Sequence, residues 1–347
     1  MDDRIRIFGA GQWGLAIAYH LSNQKKKVQI FDIEKDRIDD LSKLRHCKEL
    51  DIKFNNYIEF NYLEREVLRQ NFAQENDNIY NVIAVSSAGF SSVLNKFSDY
   101  FSAYKSLIWL TKGIDNSSAL LFHEIVNKAL SIKEANKVFD TCMVSGPSFA
   151  IDLVKNKKIT INSASNNILF AEKVSSLLST ENFKVEPVKD IIGVQVASIL
   201  KNIAATIAGV LVALNYDEDS IMFIIEKAKA EVLQISSTIQ LKSKDYSVSK
   251  EDMTETLDSP ACHGDMILTC LNDKSRNRQF GRRIGEGEAV DLALEDLGTV
   301  ESYVCTKTLY MNREKFHCGD IVNSAYEILY KNKTPATVVE KLLSQKT

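Results

Sequence analysis

Proline is scarce in this chain, four in 347 residues, and past residue 190 it occurs only at Pro260 and Pro335. No low-complexity tract or internal repeat stands out. The six cysteines (Cys47, Cys142, Cys262, Cys270, Cys305, Cys318) include no Cys-x-x-Cys pair, and the five histidines add no metal-ligand spacing. That argues against a disulfide framework and a metal site, and predicts reduced thiols packed as small hydrophobes. An excess of one charge sign is missing too. Forty-three basic residues against 46 acidic ones leave a net charge of −3, so nucleic acid and membrane surfaces are not the expected partners. The opening Met1-Asp2-Asp3-Arg4 lacks the apolar core of a secretory signal, which points to the cytoplasm. The longest apolar run, Ile203 to Leu214, is too short to cross a bilayer; a helix apolar on every face reads instead as the core of a domain.

What is present is a globular profile, 45% hydrophobic and 26% charged, in a chain too long for one ordinary core. Strand signals at Ile5–Phe8, Val28–Phe31, Val82–Val85, Leu107–Leu110 and Met143–Val144 have helical patterns between several of them. That rhythm predicts a doubly wound, mostly parallel sheet covered by helices. Ile159–Asn162 and Phe183–Val188 extend the same sheet. Helical periodicity then takes over. The expected division is a Rossmann-like α/β domain at 1–189 and an all-α domain at 190–347.

The stretch "IRIFGAGQWGLAIAYHLS", residues 5 to 22, couples a strand to a helix through Gly9, Gly11 and Gly14. Each glycine has a task in a dinucleotide cradle. Gly9 permits the tight turn, Gly11 admits the pyrophosphate to the backbone, and Gly14 lets helix and strand pack closely. The helix start offers free N–H groups to the anion. Asp32 ends the second strand, "KVQIFD", about twenty residues further on, where a carboxylate accepts the ribose hydroxyls and repels a 2′-phosphate. NAD is therefore the expected cofactor. The alternative, a packing turn beside a solvated acid, has to set all of this context aside.

Three later stretches carry possible chemistry. In "WLTKGI", Lys112 follows a buried strand at the sheet edge where open α/β sheets bind ligands; taken alone it reads first as a solvated loop lysine. In "VASILKNIAATIAGVLVAL", Lys201 and Asn202 sit in an otherwise apolar helix. Snorkelling is the usual fate of such a lysine, but a central helix would bury it and lower its pKa toward proton exchange near neutrality. In "HGDMILTCLNDKSRNRQFG", Asp265 and Thr269 share a helix face, and Ser275-Arg276-Asn277 follow at the end of that helix. An arginine fork with neighbouring hydroxyl and amide donors suits a phosphate dianion; Arg276 and Arg278 could equally cap a helix C-terminus.

Together "GAGQWGLAIA", "LTKGI", "VSGPSFA", "GVQVASILKNIAA" and "GDMILTC…SRNRQFG", in that order from residue 5 to about 330, resemble the NAD(P)-dependent glycerol-3-phosphate dehydrogenase family. "VES" at 300–302 is a weaker match. The resemblance implies an NAD-dependent oxidoreductase that interconverts sn-glycerol 3-phosphate and dihydroxyacetone phosphate by hydride transfer, with Lys201 as general acid/base. It implies that Lys112, Asn202, Asp265 and Thr269 orient substrate oxygens and the lysine, and that Arg276 and Asn277, beside Ser275, hold the phosphate. Gly9, Gly11, Gln12, Trp13 and Gly14 would line the pyrophosphate, with Arg276 and Lys112 near the cofactor. Ala150 and Glu301 would line the cofactor cleft, and Ser145, Gly146 and Ser148 a cleft between domains. A cytoplasmic homodimer serving phospholipid synthesis is implied in the same way. Three departures stand out: Ser86-Ser87 where the family usually has proline beside serine, a less glycine-rich "SPACHGD", and "LNYDEDSIMFIIEKAKAEVLQI" at 214–235, whose turn carries Asp217, Glu218 and Asp219 in place of glycines. The 214–235 segment motivates one alternative, a paralogue acting on another phosphorylated hydroxy or keto compound; a second, from another class, is a non-catalytic NAD-binding sensor.

Overall fold

The structure, a computed structural model, describes residues 3–70, 79–104, 106–131, 139–243 and 248–344. The chain divides into two compact units. One comprises Met1–Thr111 and Phe122–Val188; the other comprises Lys112–Leu121 and Lys189–Thr347.

The first unit is built on an eight-stranded sheet. Its strands are β1 (Arg4–Phe8), β2 (Lys27–Asp32), β5 (Ile58–Tyr62), β6 (Ile79–Ile83), β7 (Ser106–Trp109), β8 (Asp140–Ser145), β9 (Ile159–Ala164) and β10 (Phe183–Val188). They lie in the order β10-β9-β8-β7-β6-β1-β2-β5. A separate two-stranded hairpin pairs β3 (His46–Cys47) with β4 (Ile52–Lys53). Sequence reading missed β5 because its alternation, Ile-Glu-Phe-Asn-Tyr, is that of a half-buried edge strand, and it missed the hairpin because two-residue strands have no period. The strand read at Val82–Val85 begins earlier and stops at Ile83. All pairings in the large sheet are parallel except β8 with β9, so β9 and β10 run against the other six. Interior strands such as β1 and β2 are buried nearly end to end because helices cover both faces of a parallel sheet, and the polar side chains this encloses, Arg6 and Gln29, bond each other at 3.1 Å. Strand order reverses between β1 and β6, which opens a crevice at the carboxyl ends of the strands.

The second unit gathers helices around Ile191–Ala213, in which every residue from Ile191 to Leu211 is buried. Among the described residues this is the one helix long and apolar enough to cross a membrane; here its unit encloses it. Asp190 caps it, accepting the Gly193 N–H at 2.8 Å and the Gln240 side-chain amide at 3.2 Å. The helix Arg276–Gly285 packs so closely on it that a Cβ at Gly281 would overlap the Thr206 carbonyl. The acidic turn at 217–219 starts the helix Glu218–Lys242: Asp217 is its N-cap, accepting the Ser220 N–H at 3.0 Å, and Glu218 and Asp219 occupy its first turn. Further along that helix the buried Glu231 accepts the N–H groups of Gly319 and Ile321, each at 2.8 Å, and so anchors the start of the helix Asp320–Tyr330.

Candidate active site

In the first unit, the crevice at the strand ends forms a cavity of about 560 Å³. Its wall includes Gly9, Gly11 and Gln12 after β1, Asp32 at the end of β2, and Ala84 and Ser86 after β6. Gly9 adopts φ +121°, and a Cβ there would come within 2.5 Å of the Ala84 carbonyl oxygen. A Cβ on Gly14 would strike the Gly9 carbonyl, whereas at Gly11 it would meet nothing within 4 Å. The cradle is therefore tight where chain packs on chain and open where a ligand would approach. The helix Gln12–Asn23 starts here without a side-chain cap, so its first N–H groups remain available to an anion. Asp32 is held by backbone: one carboxylate oxygen accepts Ala10 N–H at 2.5 Å and the other Glu34 N–H at 2.9 Å. These features suit a dinucleotide, its pyrophosphate at the helix start and a ribose beside Asp32. Trp13 and Ala150 pack against the apolar core of this unit and are each half-buried. Gly146 and Ser148 form the turn after β8, where Ser148 Oγ donates to the Gly146 carbonyl at 3.1 Å and a Cβ on Gly146 would press on Ile161. Ser145 is buried.

The second unit assembles a charged cluster on its central helix. Asp265 is 2% exposed and opens the helix Asp265–Leu271 after a wide π-type turn at Pro260–Gly264, a backbone form frequent at functional sites. One of its oxygens accepts Lys201 Nζ at 2.8 Å and the other Lys112 Nζ at 2.7 Å. Lys201 is buried, as its place in an all-apolar helix requires. Lys112 is brought in by Lys112–Leu121, a segment pinned by Gly113 N–H on Ser198 Oγ (3.4 Å), Thr308 Oγ1 on Asn116 (2.8 Å) and Lys315 Nζ on the Ala119 carbonyl (2.7 Å). Gly113 has φ +115°, a conformation glycine adopts freely.

Burial opposes ionisation of Asp265, but the two ammonium groups outweigh it and hold the carboxyl below its usual range. Burial draws Lys112 down to about 8, with the like charge of Lys201 adding to the effect and Asp265 opposing it.

A polar relay adjoins the cluster. Asn202 Nδ2 donates to Glu301 at 3.1 Å, and Asn202 Oδ1 accepts from Asn277 Nδ2 at 2.9 Å. Asn277 Oδ1 in turn accepts Ser302 N–H at 3.0 Å. One hydrogen bond joins the two asparagine amides, and Glu301 and the Ser302 N–H take their other ends. Glu301 is pushed upward by burial, while Lys201, Lys112 and Arg276 pull it back. Thr269 Oγ1 donates one turn back to the Asp265 carbonyl at 2.6 Å, which leaves its lone pairs to accept.

Ser275-Arg276-Asn277 do not end the Asp265 helix. They begin the next one, Arg276–Gly285, with Ser275 as its N-cap, accepting Arg278 N–H at 3.3 Å. Ser275 precedes an apolar-periodic stretch, which is the signature of a helix start. Arg278 pairs with Asp273. Arg276 is exposed and its guanidinium has no hydrogen-bonding partner among the described residues. A cation at the positive end of a helix dipole does not stabilise that helix. Combined with the free N–H groups, it makes a spot for an anion.

An α/β unit with a dinucleotide cradle, and a helical unit carrying two lysines on one buried carboxylate, define a nicotinamide-dependent dehydrogenase. Residues 4–171 match the model of the NAD-dependent glycerol-3-phosphate dehydrogenase N-terminus and residues 190–340 that of its C-terminus. A glycerol-3-phosphate dehydrogenase [NAD(P)+] from Francisella tularensis subsp. novicida is 29% identical, over 99% of this chain and 98% of its own. The crystal structure of glycerol-3-phosphate dehydrogenase from Coxiella burnetii superposes with a TM-score of 0.82 at 25% identity, covering 99% of each chain. The glycerol-3-phosphate dehydrogenase of Plasmodium falciparum, 16% identical, shares the fold at a TM-score of 0.80, over 100% of this chain and 96% of its own. The chain belongs to the NAD-dependent glycerol-3-phosphate dehydrogenase family.

Proposed function

We propose that this chain interconverts sn-glycerol 3-phosphate and dihydroxyacetone phosphate, with Lys201 as the proton donor and acceptor. The observation that carries the reading is the Lys201–Asp265–Lys112 cluster, a shared buried carboxylate holding two ammonium groups. Gly9, Gly11, Gln12, Gly14 and Asp32 would hold the nicotinamide dinucleotide, which supplies or takes the hydride at the substrate carbon when bound. In the reducing direction the Lys201 ammonium gives its proton to the carbonyl oxygen, and in the oxidising direction the free amine takes the hydroxyl proton. Asp265 orients Lys201, and the second positive charge, on Lys112, stabilises the oxygen as it gains negative charge. Asn202 and Asn277 act through their relay, which ties the central helix to the start of the Arg276 helix. Arg276, with the helix start behind it, holds the phosphate remote from the reacting carbon, so that binding energy serves alignment.

The acidic turn at 217–219, which motivated a different substrate, is accounted for as a helix cap and gives that alternative no support. A cytoplasmic homodimer supplying glycerol 3-phosphate for phospholipid synthesis extends the same reading, on family resemblance alone.

The test is Arg276→Ala assayed with NADH on dihydroxyacetone phosphate and on unphosphorylated dihydroxyacetone. Loss of a charge-assisted contact lowers kcat/KM on the phosphorylated compound by at least about tenfold and leaves the poor activity on dihydroxyacetone unchanged. Equal loss on both would assign Arg276 to the cofactor or the fold. Absence of turnover in the parent enzyme would favour the binding-sensor alternative.

A further inference from the structure

The cavity of the first unit holds charges that the proposed reaction does not use. Besides Asp32 its wall carries Glu34, Arg37 and Glu49. Arg37 lies on the helix Lys35–Leu44, just past β2. Glu49 is carried by the turn of the β3–β4 hairpin. The two meet: Arg37 Nη1 donates to Glu49 Oε1 at 3.0 Å. Arg37 Nε donates to the Ala10 carbonyl at 3.0 Å, inside the glycine turn. The other oxygen of Glu49 accepts the Cys47 thiol at 3.1 Å. The Glu49 carboxyl is held at about 2, chiefly by its own backbone N–H, then by Cys47 and Arg37. It is therefore ionised at any working pH.

We propose that Glu49 is a cofactor-specificity residue that excludes a 2′-phosphorylated dinucleotide by occupying Arg37. This rests on the reading that the adenosine ribose lies beside Asp32. A guanidinium in that wall is the group a 2′-phosphate seeks. Here its Nη1 and Nε are turned onto Glu49 and the Ala10 carbonyl, and the Glu49 carboxylate offsets its charge. A 2′-phosphate entering the cavity meets Asp32, Glu34 and Glu49, and the one arginine lining it among the described residues is already engaged. The other basic residue lining the cavity, Lys96, lies over the Phe97 ring. A 2′-hydroxyl carries no such charge, so NADH is unaffected. Discrimination thus has a repulsive element, Asp32, and a withheld attractive one, Arg37.

The test is equilibrium binding of NADH and NADPH, followed by nicotinamide fluorescence, to the parent chain, Glu49→Gln, Glu49→Asp and the double variant Arg37→Met/Glu49→Gln. Glu49→Gln tightens NADPH binding about tenfold, the scale of one charge-assisted contact regained, and leaves NADH within about twofold. Glu49→Asp, which keeps the charge and shortens the reach, gives a smaller gain. The double variant loses the gain, because the freed arginine is its source. An unchanged NADPH-to-NADH affinity ratio in both single variants, or a gain that survives removal of Arg37, overturns the proposal. A parent chain that binds neither nucleotide refutes instead the reading of the cavity on which it rests.

Discussion

Replacing Asp265 by asparagine tests the charged cluster most directly. The change keeps the shape and one acceptor oxygen and removes the charge that two ammonium groups share, at 2.8 and 2.7 Å. Removing one partner of a buried ion pair costs about 3–5 kcal/mol. A buried site escapes such a cost by giving up a proton, and about 1.36 kcal/mol corresponds to one pKa unit. The ammonium pKa would therefore fall by about 2–4. Lys112 is already down to about 8 and has the more exposed side chain of the two lysines, 21% against 11%. In Asp265→Asn the pair sheds its first proton below neutrality, titrating as a coupled unit. Reduction of dihydroxyacetone phosphate needs the ammonium form. Its kcat/KM should fall with rising pH through about 8 in the parent enzyme, where Lys112 titrates. In the variant that descending limb moves to lower pH, and activity at neutrality drops by about 10²–10⁴-fold. The measurement is kcat/KM for NADH oxidation across pH, with circular dichroism at each point to confirm folding. A variant that loses activity equally at every pH, with its limb unmoved, would refute the claim that Asp265 sets the lysine protonation.

The remaining expectations concern single groups. Lys201→Ala should lower kcat by about 10²–10⁴-fold while NADH titration shows unchanged binding; near-normal turnover would remove Lys201 from the mechanism. Gly281→Ala would ordinarily favour a helix by about 0.5–1 kcal/mol. Here the overlap with the Thr206 carbonyl reverses the sign, and urea unfolding should show a loss of about 1–3 kcal/mol. Burial pushes Glu231 up to about 7 against the three backbone N–H groups that lower it. The folded chain then binds a proton that the unfolded one releases near pH 4.3. The stability tied to that proton is complete below about 4.3 and is lost as pH rises through about 7. Thermal melts should show that decline, and Glu231→Gln should flatten it.

What could be read in the sequence was local. The glycine turn, Asp32 at the end of the second strand and the lysine within an apolar helix are each contained in about thirty residues, and periodicity supplies the rest. Burial of Lys201 followed from that helix being apolar on every side. What escaped reading depends on residues far apart in the chain. Asp265 reaches Lys201 across 64 positions and Lys112 across 153, and no local pattern announces that one carboxylate serves both. The family resemblance assigns both asparagines to the substrate, and nothing local in the sequence shows that they also bond each other. In the folded unit one bond joins Asn277 Nδ2 to Asn202 Oδ1 across 75 positions, and Glu301 and Ser302 complete the relay. Glu49 sits in the turn of a hairpin whose strands are too short to carry a period. The start of the helix at Ser275 was legible as a cap, but was passed over because the arginines beside it drew the reading toward a helix end.

The segment Lys112–Leu121 belongs to the helical unit, while the residues on either side of it belong to the α/β unit. The polypeptide therefore passes between units three times, after Thr111, after Leu121 and after Val188. Neither unit is a contiguous piece of chain. A fragment ending at 188 would carry Lys112–Leu121 without Ser198, Thr308 and Lys315, the residues that pin it. A fragment beginning at 189 would hold Asp265 and Lys201 but only one of the two ammonium groups. A proteolytic nick at 188 would leave each piece short of a part held by the other. The proposed reaction centre thus draws on chain from both sides of residue 188, and exchanging the helical unit with that of a relative requires grafting two separate stretches of sequence.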